Sequence, residues 1–317
     1  MIWQSVQSVL TLLLMMSVGF LVADKPWFGK YGEDLFSKYC LNIGIPCYMV
    51  VNIASTCESR EELFGLLRFL PIPFAMILSF LLLGFVLFRV LKIDPRRKGL
   101  FINVLAFSNT VIVGFPITLS LFGEEALPTA LSYYIANTIL FWTAGAWLLR
   151  QDGGQNAQKT FSLASLKKIF SLPIIGFLIG SALVLFNITL PDWIFSPLQQ
   201  IGKTATPIAM IFIGSVLRHA NLQNIRLSRD MIILLVCRFL LSPAILLVLY
   251  LVLPLPAMAK QVYLIMTVMP AMTQFGIVSK ESGADYEYAS LLIAITTVVS
   301  MAVIPLYTIV MSQIFTA

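Results

Sequence analysis

The feature that most constrains this chain is a succession of apolar runs of about twenty residues, separated by short segments that carry most of its positive charges. A helix of roughly 20 apolar residues crosses the hydrocarbon core of a membrane, so each run is long enough to span it. Only 21 Lys and Arg and 15 Asp and Glu occur among 317 residues, of which 59% are apolar. This composition excludes a soluble globular protein, a disordered chain and a nucleic-acid-binding protein.

The runs predict an all-α polytopic membrane protein with ten transmembrane helices. Successive loops alternate between the two sides of the membrane, and Lys and Arg are concentrated on one side. One set of loops carries 16 of these residues and the other set carries 3. Because loops rich in Lys and Arg stay in the cytoplasm, this bias predicts a multi-pass protein of the cell (inner) membrane with both termini outside. The predicted spans are 3–23, 35–56, 69–90, 99–122, 127–149, 169–190, 194–217, 230–253, 258–279 and 287–314.

The hydrophilic segment 150–168 divides the spans into two groups of five and is predicted to be a short cytoplasmic linker. It separates a first repeat, 1–149, from a second repeat, 169–317. With five helices in each repeat, the two halves must have opposite orientations in the membrane. Four pairs of residues that match at an offset of about 160, such as Gly19 with Gly180, support this inverted repeat. Inverted repeats typically hold a substrate at the bilayer midplane, between discontinuous helices.

Spans 4 and 9 contain the residues that interrupt helices. Span 4 reads Ser108-Asn-Thr-Val-Ile-Val-Gly-Phe-Pro116, and span 9 reads Met269-Pro-Ala-Met-Thr-Gln-Phe-Gly276. Each interruption begins roughly 15 Å into its span, at about 1.5 Å per residue, and so reaches the midplane. Irregular backbone is tolerated there only where it is buried in protein or lines a cavity. We therefore predict a substrate site formed by two broken helices, the alternative being that Pro and Gly merely kink packed helices. The predicted substrate contacts are Asn109, Gly114, Pro116, Pro270, Thr273, Gln274 and, alongside on span 5, Asn137.

Away from the span ends, two charged residues lie inside spans, and both are positive: Lys203 in the outer half of span 7 and Arg238 in span 8. A charge at the centre of a membrane helix costs at least ~2.5–3.5 kcal/mol, so both are candidate substrate contacts for an anion. Each has a second interpretation. Lys203 is close enough to the outer surface to extend into water, and Arg238 could instead bind the carbonyl groups of the broken helices.

Several motifs resemble the auxin efflux carrier family, whose members include the plant PIN-FORMED carriers and bacterial permeases for malonate, malate and similar acids. Asn109-Thr-Val-Ile-Val-Gly-Phe-Pro116, followed by Leu121-Phe-Gly-Glu-Glu125, is similar to the fourth helix of the family and its following turn. Met269-Pro270 and the later Ser279-Lys-Glu-Ser-Gly283 resemble the ninth helix. Arg238-Phe-Leu-Leu-Ser-Pro243 resembles an element of the eighth helix. The likeness covers the full length of the chain.

Membership in that family implies crossed, broken helices 4 and 9 and elevator-type alternating access. It implies a scaffold part at about 1–57 and 169–217, a transport part at about 58–149 and 218–317, and a homodimer formed through the scaffold. The resemblance assigns Asn109 to substrate contact and Pro116 and Pro270 to the crossover. One departure argues against auxin as the substrate: Ser171-Leu-Pro-Ile174 replaces an Asn-Pro-Asn-Thr run of the plant carriers.

The expected function is therefore secondary transport of a small organic anion, such as malonate, malate or an auxin-like acid. Because every Asp and Glu lies in a loop or at a span end, and the only histidine, His219, is in a loop, coupling through a buried carboxylate is not expected. Transport driven by the membrane potential and Na⁺ coupling both remain open. No cofactor, metal or catalytic residue is expected, since a nucleophile–base or metal constellation is missing. The alternative is a transporter-like sensor or a lipid- or ligand-binding protein that does not cycle.

Overall fold

The computed structural model describes residues 2–57, 59–61, 63–64, 70–154, 170–219, 228–250 and 255–314, and all regular structure in these ranges is helical. Most of the predicted linker, from residue 155 onward, lies outside them. The helices in chain order are α1 (Ile2–Val22), α2 (Gly29–Tyr39), α3 (Ile45–Thr56), α4 (Pro71–Val90), α5 (Lys98–Ala106), α6 (Phe115–Phe122), α7 (Leu127–Leu140), α8 (Ala146–Asp152), α9 (Leu172–Leu185), α10 (Asp192–Lys203), α11 (Ala205–His219), α12 (Arg229–Val236), α13 (Ser242–Leu249), α14 (Ala257–Thr267), α15 (Gln274–Ser282) and α16 (Tyr286–Ile314).

Several helical segments of the described residues are long and apolar enough to cross a membrane. This confirms the prediction of an all-α membrane protein, and the count of ten spans stays a prediction. Two shorter apolar helices, Leu10–Val22 and Leu172–Leu185, lie within the first and sixth predicted spans. The five long segments are Pro71–Val90, Pro95–Phe122, Asp192–His219, Arg229–Leu249 and Tyr286–Met311.

Short π-helical segments precede three helices that have a proline in their first turn. Cys40–Gly44 leads into Pro46 of α3, and Cys237–Leu241 leads into Pro243 of α13. The third, Thr110–Gly114, leads into α6 with Pro116. Proline lacks an N–H and its ring excludes the carbonyl four residues earlier, so the backbone takes wider i→i−5 bonds, as from Ser242 N to Cys237 O.

The chain divides into two units, of which the first contains 1–70, 111–132 and 170–219. Its helices α1 and α11 pack at very short range through glycines. A Cβ added to Gly19 would come 1.9 Å from the Ile211 carbonyl oxygen, and one added to Gly214 would come 1.9 Å from that of Met16. Small residues that let backbones approach are typical of helix interfaces in membranes.

The second unit contains 71–110, 133–169 and 220–317. The rings of Phe107, Phe141 and Phe275 form an aromatic cluster in its core, with centroids 5.7 Å apart for the first pair and 5.5 Å for the second. Helix α5 is buried along its whole length, between α4 and α8. Such complete burial sets α5 apart from α4, which exposes many apolar side chains.

Ion pairs within each unit join residues that the charge count places on one side of the membrane. In the first unit Arg218 contacts Asp24 at 2.7 Å, and His219 lies 2.7 Å from Glu33. The hydrogen bond from Arg218 lowers the pKa of Asp24. In the second unit the Arg97 guanidinium contacts Asp285 at 3.0 Å. His219, predicted to lie in a loop, is the last residue of α11, where it contacts Asp24 and Glu33.

Candidate functional site

The helix of span 4 is interrupted inside the second unit. Helix α5 ends at Ala106, and Phe107 has an extended conformation, with φ −111° and ψ 145°. The Asn109 N–H, which the helix cannot satisfy, donates to the Pro270 carbonyl at 2.8 Å. This bond joins the interruption of span 4 to that of span 9.

The interruption of span 9 runs from the end of α14 at Thr267 to the start of α15 at Gln274. The Ala271 N–H donates to Thr296 Oγ1 of α16 at 3.1 Å. Buried backbone groups outside regular structure need such partners. Both interruptions are therefore held by specific hydrogen bonds and occur at the residues where the sequence predicts them.

Arg238 occupies the centre of this arrangement and is only 1% exposed. Its guanidinium donates to the carbonyl groups of Phe107 at 3.1 Å and Pro270 at 3.3 Å, and to the Ser108 hydroxyl at 3.0 Å. It also donates to the carbonyl groups of Val104 and Met269. These contacts agree with the second of the two roles that the sequence left open for Arg238, in which it binds the ends of the broken helices.

Asn137 supports the interruption of span 4 from α7 and is fully buried. Its side chain accepts from the Ser108 N–H at 3.1 Å and donates to the Ser108 carbonyl at 3.0 Å. A further contact reaches Met272 Sδ at 3.5 Å. The amide therefore replaces the helical hydrogen bonds that Ser108 lacks.

Asn109, Thr273 and Gln274 differ from Arg238 and Asn137 in their hydrogen bonding. The Asn109 side chain is 8% exposed and has no hydrogen-bond partner among the described residues. Thr273 Oγ1 donates to Gln274 Oε1 at 3.4 Å, and no described group binds the Gln274 amide nitrogen. The Asn109 amide and the Gln274 amide nitrogen are therefore free to bind another molecule.

Three predicted site residues belong to the first unit. Gly114 ends the π-helical segment before α6, and Pro116 is buried in the first turn of that helix. Lys203 is the last residue of α10 and is exposed. At that position its positive charge interacts favourably with the negative C-terminal end of the helix dipole.

Asp152, at the end of α8, was not predicted to have a structural role. Its carboxylate accepts from the N–H groups of Gly99 at 2.9 Å and Leu100 at 3.0 Å, in the first turn of α5. Burial raises the pKa of Asp152 to about 6, and these two hydrogen bonds partly oppose that shift. The sequence shows only an acidic residue after a span, which gives no signal that it caps a helix more than fifty positions away.

In the described residues, two apolar helical segments are interrupted by irregular backbone with polar side chains, an arrangement that is typical of membrane transporters. The sequence model of the membrane transport protein family matches residues 4–308, so the chain belongs to this family, that of the auxin efflux carriers. The family predicted from the motifs is thereby confirmed, and the chain is a membrane transporter of this family.

Two archaeal proteins described as uncharacterized transporters are similar to this chain over nearly their whole length. The one from Methanothermobacter thermautotrophicus is 25% identical over 317 residues, which is 97% of this chain and 98% of the relative. The one from Methanocaldococcus jannaschii is 24% identical over 310 residues, or 94% of this chain and 96% of the relative.

Proposed function

We propose that this chain is a secondary transporter for small organic anions, mono- or dicarboxylates such as malonate or malate. The observation that carries the proposal is the Asn109 amide and the Gln274 amide nitrogen, which have no partner among the described residues and lie one at each interruption. Asn109 is buried and Gln274 is partly buried, and an amide N–H is a donor that a carboxylate can accept from.

The sign of the substrate follows from the charges around the interruptions. Arg238 is a full positive charge, and helix α15 begins at Gln274 with its positive end at the interruption of span 9. The acceptors around Arg238 are carbonyl groups and one hydroxyl, none of which carries a full negative charge. A carboxylate near these groups gains electrostatic stabilisation that a cation does not.

The proposal includes a mechanism and an assembly. Ten spans form two inverted repeats, the broken helices of spans 4 and 9 cross at the midplane, and Pro116 and Pro270 lie at the crossover. A transport part moves against a scaffold part, as an elevator, in a homodimer that lies in the cell membrane with both termini outside. Lys203 attracts the anion from the outer side.

A flux experiment on matched asparagine variants tests the substrate site. Asn109→Ala removes an amide that is proposed to bind the carboxylate, and hydrogen bonds to charged groups contribute about 1.5–3 kcal/mol. We expect the KM for labelled malonate or malate uptake into proteoliposomes to rise at least about tenfold. Asn42→Ala is the control, because Asn42 is an exposed asparagine within a different π-helical segment, the one that precedes Pro46.

Two results would contradict the proposal. Equal KM values for Asn109→Ala and the wild type would show that Asn109 does not contact the substrate. Saturable ligand binding by the wild type without any flux would identify a sensor or ligand-binding protein instead of a transporter.

A further inference from the structure

Positive charge is concentrated in the turn that follows helix α4. Residues 89–98 contain five Lys and Arg residues and a single carboxylate, that of Asp94. The distribution of loop charges predicts that this turn lies on the cytoplasmic side of the membrane. The five cations are Arg89, Lys92, Arg96, Arg97 and Lys98.

One of these cations and the carboxylate have partners inside the second unit. The Arg97 guanidinium contacts the Asp285 carboxylate at 3.0 Å, and its Cζ lies 3.9 Å from the centre of the Tyr288 ring. The Asp94 carboxylate accepts from the Arg96 N–H at 2.9 Å and so caps the 3₁₀ turn that follows it. Arg97 and Asp94 therefore hold the turn in shape.

Three of the other cations have no counter-charge in the described part of the chain. The side chains of Arg89, Lys92 and Arg96 are exposed and contact none of the described carboxylates. The Lys98 ammonium lies 5.1 Å from the centre of the Phe85 ring and so leans toward α4. Exposed cations without a partner in the protein are available to bind an anion.

An exposed apolar face of α4 leads to these cations. Four exposed residues recur on it at intervals of four, which places neighbours in the series on the same side of the helix. They are Leu78, Leu82, Val86 and Val90. Arg89 lies in the last turn, next to the end of this face. An apolar face that ends in cations matches a molecule that has acyl chains and an anionic headgroup.

The backbone at Lys92 supports a role for its side chain. Lys92 has φ +52°, in the left-handed region that glycine adopts without strain and other residues rarely adopt. What lysine adds over glycine at this position is an exposed positive charge. Strained backbone is concentrated at functional sites.

We propose that the turn 89–98 and the exposed face of α4 bind an anionic phospholipid of the cytoplasmic leaflet. Arg89, Lys92 and Arg96 bind its phosphate, and its acyl chains lie along Leu82 and Val86. Each Lys or Arg near a membrane surface contributes about a fivefold gain in affinity for anionic lipid. The apolar face distinguishes this ligand from a soluble phosphate, which would need only the cations.

Competition between phosphatidylglycerol and phosphatidylcholine with the same acyl chains tests the site. Native mass spectrometry of the protein in a neutral detergent counts the bound lipids, so the readout does not depend on transport. The wild type should bind phosphatidylglycerol at least about fivefold more tightly. Equal affinities would overturn the proposal. Glycerol phosphate should not compete, and displacement of the lipid by it at equal concentration would overturn the choice of a lipid.

Lys92→Gly separates the charge from the fold, because it removes a cation and also relaxes the backbone. This variant should melt no lower than the wild type in detergent without lipid, yet bind phosphatidylglycerol about fivefold more weakly. Asn187→Gly is the matched control, since Asn187 also has a left-handed backbone, with φ +51°, and carries no charge. Its affinity for phosphatidylglycerol should equal that of the wild type. Unchanged affinity in Lys92→Gly would overturn the proposal.

Arg229→Gln separates this site from general attraction to the basic side of the protein. Arg229 begins α12, is exposed and is predicted to lie on the same side of the membrane. Arg89→Gln and Arg96→Gln should each weaken phosphatidylglycerol binding about fivefold, and Arg229→Gln by less than about twofold. Equal losses in all three variants would contradict a site at this turn.

Discussion

Buried polar side chains near the two interruptions fall into two groups at the residue scale. Arg238 and Asn137 are satisfied by the protein, whereas the Asn109 side chain has no partner in the described part of the chain. Removing a satisfied group leaves its partners buried and unpaired, which costs stability. Removing an uncommitted group leaves no such partner. The two asparagines should therefore give opposite phenotypes when replaced.

Asn137→Ala should destabilise the protein by about 1–3 kcal/mol, because the buried Ser108 N–H and carbonyl would lose their partner. Chemical denaturation in mixed micelles measures this change. Thr143→Ala is a suitable control, since its hydroxyl binds only carbonyl groups of its own helix. A variant as stable as the wild type but with a raised KM would instead assign Asn137 to substrate contact.

The stability of the fold should depend on pH through Asp152. Its pKa in the folded protein is about 6, above the ordinary value of 3.8, because burial favours the neutral form. The folded state therefore holds this proton more tightly than the unfolded chain, and the resulting stability is full below about pH 4 and is lost as the pH rises through about 6.

The measurement is the melting temperature between pH 4 and pH 8. Asp152→Asn should lose the decrease between pH 4 and pH 6 that Asp152 causes, while the exposed Asp192→Asn should keep it. Identical profiles for Asp152→Asn and the wild type would show that the carboxyl does not titrate in this way.

The sequence predicts the positions of the two helix interruptions but not the hydrogen-bonding groups that hold them. Asn109 and Pro270 stand out because Gly, Pro and polar residues occur inside apolar runs. The partners of Arg238 are mostly main-chain carbonyl groups, and a sequence does not show which carbonyl groups are left free until the helix ends are placed. For the same reason the sequence does not predict the capping role of Asp152, whose partners are two N–H groups of α5.

Proline sets the local geometry at the scale of the element. In the span that carries Arg238, Pro243 cannot donate to the Phe239 carbonyl four residues earlier, and Tyr307 Oη of α16 donates to that carbonyl at 2.8 Å instead. The π-helical segment Cys237–Leu241 contains Arg238 itself. The proline thus links the position of Arg238 to helix α16.

A double-mutant cycle tests this link. Tyr307→Phe should cost about 0.5–1.5 kcal/mol of stability, and less in a Pro243→Ala background, where residue 243 supplies an N–H for the same carbonyl. Tyr286→Phe, at the exposed start of the same helix, should cost nothing in either background. Additive costs for Tyr307→Phe and Pro243→Ala would show that the Tyr307 hydroxyl and the N–H introduced at position 243 do not compete for the Phe239 carbonyl.

At the scale of the whole molecule, the distribution of charged and apolar residues along the sequence indicates the class of protein. The apolar runs and the loop charges predict a polytopic helical protein, and five long apolar segments together with the family match confirm that class. The count of ten spans stays a prediction, because spans such as 35–56 are built from shorter helical pieces. Segments α2 and α3, with π-helical turns between them, replace one uniform helix there.

The most direct test of the account is the flux of labelled malonate and malate into proteoliposomes whose membrane potential is set by K⁺ and valinomycin. An anion gains about 2.3 kcal/mol per charge per 100 mV when it moves toward the positive side. We predict saturable uptake that accelerates when the vesicle interior is positive. No saturable flux across a panel of small mono- and dicarboxylates would contradict it.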